Sequence, residues 1–437
     1  MPILGKMKIK IVGGGLAGCE AAFYLLKKGF HVDLYEMRPQ VYSPAHKTSR
    51  LCELVCSNSL KSISLHTGQG LLKEEMRLLD SLVLTAAEKS KVPAGESLCV
   101  DRELFQENIE KILFSFPKFN LIHQEITDVS ENSIIATGPL TSSELSKAII
   151  SITGKDYFHF YDAISPIITG ESINMEKAFW GTRYEKGSPD FINCPLSKEE
   201  YIRFYNELVN AETVILKEFE KRELFNSCMP IEEIARTGID SMRFGPLRPV
   251  GLKNDVFGKS YAIVQLRREK IEGEAYNIVG FQTNLKYPEQ NRVFQTIPAL
   301  EKCEFIRYGA MHKNCYLDSP QILSSYGNLL KIPSIFFAGQ IIGVEGYMES
   351  AASGIVVGIN IARFMRNQDL IEFPKNTIIG SLMRYISQEN NNFQPMNANF
   401  GLFPSDGIKY KDKNLKKDTI VMNALKSVRE YVKLLEV

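Results

Sequence analysis

Lys8-Ile9-Lys10-Ile11-Val12-Gly13-Gly14-Gly15-Leu16-Ala17-Gly18 is the stretch that decides the fold. A short apolar run enters G-x-G-x-x-G, carried by Gly13, Gly15 and Gly18. A helical pattern follows through Leu26, then Gly29, then a second apolar run, Val32-Asp33-Leu34-Tyr35, ending in the acid Glu36. This is the spacing of a βαβ dinucleotide unit. The glycines make a tight turn and let the backbone N–H groups of Gly13, Gly14, Gly15, Leu16, Ala17 and Gly18 approach a pyrophosphate. The helix N-terminus favours the negative charge, and the acid after the second strand meets a ribose hydroxyl. The fingerprint alone does not choose among FAD, NAD(P) and S-adenosylmethionine. Its place at the N-terminus favours a fold built around FAD.

Such a fold needs a late segment that returns to the flavin. Ser334-Ile335-Phe336-Phe337-Ala338-Gly339-Gln340 supplies a buried strand and a turn, and Gly343-Val344-Glu345-Gly346-Tyr347 leads into a small-residue helix. Gly339, Gln340 and Gly346 are therefore read as cofactor residues, with Gln340 standing where many flavoproteins carry Asp. Ser133-Ile134-Ile135-Ala136-Thr137-Gly138 reads as another buried strand, with Gly138 in a turn against the nucleotide.

Outward from these motifs, the α/β rhythm loosens between about Gly170 and Glu304. The fold class expected is α/β: a Rossmann-type FAD-binding domain, residues 1–165 and 305–437, with an inserted α+β domain, residues 166–304. The chain has 437 residues, 44% of them hydrophobic, enough for two cores. No apolar run reaches the roughly 18 residues needed to span a bilayer. The N-terminal apolar stretch is used at once as a strand, and no signal peptide is read. Eight cysteines lie without a disulfide-scaffold spacing, so the expectation is a reduced, cytoplasmic protein. Cys52 and Cys56 are four apart with no second pair, and no metal site is expected.

Cys56 precedes a polar run, Ser57-Asn58-Ser59, read as a turn or helix start that would lower a thiol pKa. Cys228 precedes Met229-Pro230-Ile231-Glu232, with Pro230 fitting the first turn of a helix. The alternative for both is a small buried hydrophobe. Lys+Arg 52 against Asp+Glu 51 leaves a net charge of +1, so any nucleic-acid surface is local. Arg243, Arg248, Lys253, Arg267 and Arg268, interleaved with Phe244, Phe257 and Tyr261, form the candidate RNA-binding segment, a solvated charged face being the alternative.

The chain resembles the folate- and FAD-dependent tRNA uracil-5-methyltransferase (TrmFO, or Gid) family. The resemblance runs over nearly the whole length. It is carried by Tyr35-Glu36-Met37-Arg38-Pro39, Glu53-Leu54-Val55-Cys56-Ser57-Asn58-Ser59, Cys228-Met229-Pro230-Ile231-Glu232, Arg243-Phe244-Gly245-Pro246, Gly343-Val344-Glu345-Gly346-Tyr347 and Gln394-Pro395-Met396-Asn397-Ala398-Asn399. It implies transfer of a one-carbon unit from 5,10-methylenetetrahydrofolate to uracil C5 in the T-loop of tRNA, with FAD supplying two electrons and NAD(P)H recharging it. It also implies that one thiolate adds to C6 to make C5 nucleophilic. By this resemblance Cys228 is the nucleophile and Cys56 moves the C5 proton, with the roles exchangeable. Three other readings stay open: a paralogue with the same chemistry on 23S ribosomal RNA, a GidA-like FAD-binding tRNA-modification scaffold, and a plain flavin oxidoreductase with a small-molecule substrate. Cys52 is an extra thiol relative to the family pattern.

Overall fold

A computed structural model of the protein describes residues 8–185, 187–214, 229–254, 256–404 and 412–436. Cys228 lies outside the described residues. Strands β1 (Lys8–Val12), β2 (His31–Glu36), β6 (Phe119–His123), β7 (Ser133–Ile135) and β16 (Ile335–Phe337) form a parallel sheet in the order β16-β7-β1-β2-β6. Ile9 pairs with Val32 and Ile11 with Leu34, and all four are fully buried. That is why these runs are apolar without alternation: a parallel sheet is covered on both faces.

The helix Leu16–Lys27 follows β1, and the long helix Tyr347–Met365 lies against it. Their approach is set by size. A side chain at Gly354 would overlap the backbone of Ala17, and one at Gly358 would crowd Ala21. Two buried glutamates tie other helices in. Glu20 accepts from Leu82 N (2.9 Å) and Val83 N (2.8 Å), and Glu75 from Ile378 N (2.8 Å) and Ile379 N (3.0 Å). Each pair of N–H groups opens a helix and has no partner within it. Asp101 caps the helix Arg102–Phe114 through Glu103 N and Leu104 N, as its sequence position suggests.

A small antiparallel sheet, β3 (Ser59–Ser62), β5 (Ser97–Val100) and β4 (Lys91–Val92), extends this unit. Strands β8 (Phe158–Ile164) and β15 (Ala310–Tyr316) then pair antiparallel and carry the chain out and back. Between them lies a six-stranded antiparallel sheet, with β9 (Ile167–Thr169), β10 (Phe179–Gly181), β11 (Phe191–Leu196), β12 (Ala262–Arg268), β13 (Ala275–Ile278) and β14 (Phe305–Arg307) in the order β10-β11-β12-β13-β9-β14. β14 runs past the boundary at residue 304 drawn from sequence. One face of this sheet packs its own core, with Val264, Leu266 and Ile278 against Phe204, Leu208, Ala235 and Phe294. The opposite face carries Asn193, Gln265, Arg267 and Asn277. Arg267 reaches the first unit, donating to Asn58 Oδ1 (3.1 Å) and Ser57 Oγ (2.8 Å). Among the described residues no helix is long and apolar enough to cross a membrane.

Candidate functional site

The turn after β1 opens a cleft lined by Gly13, Gly14, Gly15, Leu16 and Ala17 on one side and Ala136, Thr137 and Gly138 on the other. Gly13 adopts φ +110, and a side chain there would overlap Ala136 O, so only glycine fits. At Gly15 the opposite holds. A Cβ there would meet nothing within 4 Å and would project into open space, which is the cradle a pyrophosphate requires. Gly339 and Gln340 close the far end, with Gly339 N donating to Ser353 Oγ at 2.8 Å. The residues present fit FAD. Gly18 lies beneath the turn against Gly13 O rather than on the cleft wall, and Gly346 lines the neighbouring cavity instead.

Glu36 does more than its sequence position suggests. Its Oε2 accepts from Gly14 N at 3.0 Å, and its Oε1 from Arg38 Nε at 2.8 Å and Arg38 N at 3.1 Å. Arg38, 2% exposed, also donates to Glu53 Oε2 (3.0 Å) and Thr48 O (3.1 Å). Burial opposes the charge on Glu36. The Arg38 hydrogen bond and charge, with the N–H groups of Arg38 and Gly14, outweigh it and hold the carboxyl below its usual range. Glu36 thus braces the phosphate turn as well as facing the cleft.

A second cavity adjoins the first and shares Val55, Pro139, Leu140, Gln340 and Tyr347 with it. Its wall carries Cys56, Lys61, Asp162, His312, Glu345 and Glu349, drawn from separated stretches of sequence. The Cys56 loop is held from three sides. Tyr347 Oη accepts from Cys56 N (2.8 Å) and Ser57 N (3.3 Å). Arg307 donates to Val55 O and Cys56 O, both at 3.2 Å, and Arg102 to Leu54 O at 2.8 Å.

The expectation of a lowered Cys56 pKa is overturned. The residues after Cys56 lead into strand β3, not into a helix, and no helix N-terminus follows the sulfur. Burial pushes the thiol up to about 12. The charge of Asp162 adds to this, Arg307 and Arg102 work against it, and Glu345 adds again. The chain is described again from Met229. Pro230 caps the helix Ile231–Arg236, and Ile231 N donates to Gln282 O at 2.7 Å, where Gln282 is on the wall of the second cavity.

The basic segment does not form one surface. Arg267 is spent on Ser57 and Asn58, which the sequence could not reveal because those partners lie far away along the chain. Arg268 sits 5.1 Å over the Trp180 ring, and its carbonyl accepts from Asn58. Arg243 stacks 3.5 Å over Tyr261 and pairs with Asp240 at 2.6 Å. Arg248, Lys253 and Lys259 are exposed, Lys253 pairing with Glu185, as are the apolar side chains Phe244 (81%) and Val256 (83%).

Sequence reasoning passed over Arg38, Asp162, His312, Glu345 and Tyr347 as site residues. Arg38 and the Glu345–Tyr347 pair stood inside recognisable motifs and were legible there. Asp162 and His312 carried no local signal.

Residues 8–369 match the family described as glucose inhibited division protein A. The chain is 51% identical over 430 residues to the methylenetetrahydrofolate–tRNA-(uracil-5-)-methyltransferase TrmFO of Natranaerobius thermophilus, covering 98% of this chain and 99% of that protein. It is 49% identical over 430 residues to the TrmFO of Bacillus licheniformis, at 98% and 99% coverage. The structure of Aquifex aeolicus GidA superimposes with a TM-score of 0.72 over 100% of this chain and 74% of that one, at 14% identity, a likeness of fold alone.

Proposed function

The chain belongs to the TrmFO family of the relatives just described, and from that premise we propose that it methylates C5 of the T-loop uridine of tRNA. The one-carbon donor is 5,10-methylenetetrahydrofolate, FAD is the bound cofactor, and NAD(P)H is the reductant. The observation that carries this reading is the junction of the two cavities, where the nucleotide cleft opens at Gln340 and Tyr347 onto a space walled by Cys56. FAD, when bound, supplies the two electrons that turn a methylene into a methyl group.

The chain's residues place the reactants. The N–H groups of Gly15, Leu16 and Ala17 would meet the pyrophosphate, those of Gly13 and Gly14 being taken by Tyr35 O and Glu36, and Glu36, fixed by Arg38, would accept from the ribose. The second cavity takes the folate and the flipped base, since a uracil ring is inaccessible within a stack. Burial holds Cys56 toward its protonated form, which sets it behind Cys228 as the attacking thiolate. Addition to C6 is assigned to Cys228. The C5 proton goes to Cys56 as its thiolate, the thiol proton having first left to solvent, a loss that the charges of Arg307 and Arg102 favour.

RNA is held by the exposed residues Arg248, Lys253, Lys259 and Phe244 of this segment, where cations meet phosphates and an aromatic face meets a base. The relatives named above act on tRNA, which sets tRNA ahead of ribosomal RNA and of a scaffold role. The reading places the protein in the cytoplasm, in keeping with free cysteines at all the described positions. The test is trapping with tRNA containing 5-fluorouridine. The native protein and Cys56→Ala should form a covalent adduct, and Cys228→Ala should not. Trapping lost in Cys56→Ala and kept in Cys228→Ala would reverse the roles, and no adduct with any of the three would remove the uracil chemistry.

A further inference from the structure

Glu345 is a buried acid on the cavity wall that the chemistry above leaves without a task. It lies in the glycine-rich turn before the helix Tyr347–Met365, 8% exposed. The turn is fixed on both sides. Glu345 N donates to Met396 O at 2.8 Å, and Glu345 Oε2 accepts from Gln340 Nε2 at 2.9 Å. Gln340 also lines the nucleotide cleft, so the Glu345 carboxyl stands at the boundary between the two cavities.

Methylenetetrahydrofolate holds its one-carbon unit between two nitrogens. Transfer needs one of those C–N bonds to break, and an amine leaves readily only if it takes a proton as the bond breaks. We propose that the Glu345 carboxyl is the general acid that opens the donor, giving its proton to the departing arylamine nitrogen. The C–N electron pair stays on that nitrogen. The lone pair of the other nitrogen closes a C=N⁺ bond to the methylene carbon, so no electrons are gained or lost. The carboxylate then takes a proton back from solvent. This inference rests on the folate-dependent reading above.

The surroundings suit the role. Burial raises the Glu345 carboxyl to about 8, Asp162 on β8 adds to this, Gln340 and Lys61 on β3 work against it, and Glu349 adds again. Glu345 is therefore largely protonated at neutral pH. Cys56, Tyr347 and His312 on the same wall are poorer donors. Burial pushes up Cys56 and Tyr347, and burial with the nearby Arg307 holds His312 neutral.

The test compares the FAD-loaded native protein with Glu345→Gln, Glu345→Asp and Asp162→Asn. The readouts are flavin content, equilibrium binding of methylenetetrahydrofolate, and single-turnover methylation of tRNA across pH. Glu345→Gln should keep FAD and folate affinity and lose about 10²–10⁴-fold in rate. The native rate should fall as pH rises through about 8. That limb should vanish in Glu345→Gln, persist in Glu345→Asp, and move to lower pH in Asp162→Asn. A Glu345→Gln rate near native, an unchanged limb, or a loss explained by failed folate binding would overturn the proposal. If Glu345→Gln sheds its flavin, the limb in Glu345→Asp and its shift in Asp162→Asn decide in the same way. A native protein that makes no 5-methyluridine fails the functional reading itself, before any variant is compared.

Discussion

The phenolic oxygen of Tyr347 accepts a hydrogen bond from the backbone N–H of Cys56 at 2.8 Å, and so couples the first turn of the helix Tyr347–Met365 to the loop that carries the thiol. It also accepts from Ser57 N. Tyr347→Phe keeps the ring and removes the acceptor. Two half-buried N–H groups are then left without a partner, at a cost of about 1–3 kcal/mol. The expected result is a lower denaturation midpoint, retained flavin and reduced turnover. A variant with native turnover would show that the loop holds its place without this bond.

Gly15 and Gly18 are separated by what surrounds them. Gly15→Leu projects into the open cleft, so it should purify folded but without flavin absorbance. Gly18→Ala drives a methyl group against Gly13 O and Ile11. It should lower the stability of the flavin-free protein by about 1–3 kcal/mol. Flavin titration and thermal denaturation read the two effects independently. Full FAD affinity in Gly15→Leu would remove the cradle.

The Glu36–Arg38–Glu53 cluster makes Glu36 costlier to change than a lone ribose contact would be. Glu36→Ala breaks a buried ion pair and should destabilise the fold by about 3–5 kcal/mol. The pH dependence has a definite sign. The folded Glu36 carboxyl lies below its ordinary value of 4.5, so its contribution is complete above that value and is lost as pH falls through the lower, folded one. Denaturant unfolding at a series of pH values should show an acid loss in the native protein that is smaller in Glu36→Gln. Equal acid sensitivity in both would place the linkage elsewhere.

The basic segment divides into two functions. Neutralising Arg248, Lys253 and Lys259 together should weaken tRNA binding and flatten its salt dependence, the slope falling by about 0.7–0.9 for each phosphate that no longer meets a cation. Arg267→Ala should leave that slope alone and depress turnover, because its guanidinium holds Ser57 and Asn58 beside the thiol. A flattened slope in Arg267→Ala would return it to the RNA surface.

The nucleotide half of the site was legible because it is local. One βαβ unit carries the strand, the glycine turn, the helix and the acid within about thirty residues, and the turn at Gly339 repeats the logic near the other end. The catalytic half was legible only in pieces. Cys56 and Tyr347 were each visible in a motif, but nothing in the chain says that they touch. The pKa of Cys56 was misread because the polar run after it suggested a turn or helix start, whereas it leads into strand β3, where Ser59 pairs with Cys99. Arg267 was misread for a related reason. Alternation along β12 sends it to the polar face of the sheet, and what that face meets is settled by how the sheet sits on the first unit, not by residues near it in sequence.

The central claim is tested most directly by mapping 5-methyluridine in an unmodified tRNA transcript incubated with the FAD-loaded protein, methylenetetrahydrofolate and NAD(P)H. The expected result is a single methylated uridine in the T-loop, with its methyl carbon traced to the folate and none formed by Cys228→Ala. A transcript that stays unmethylated, while the protein still binds FAD and folate, would contradict it.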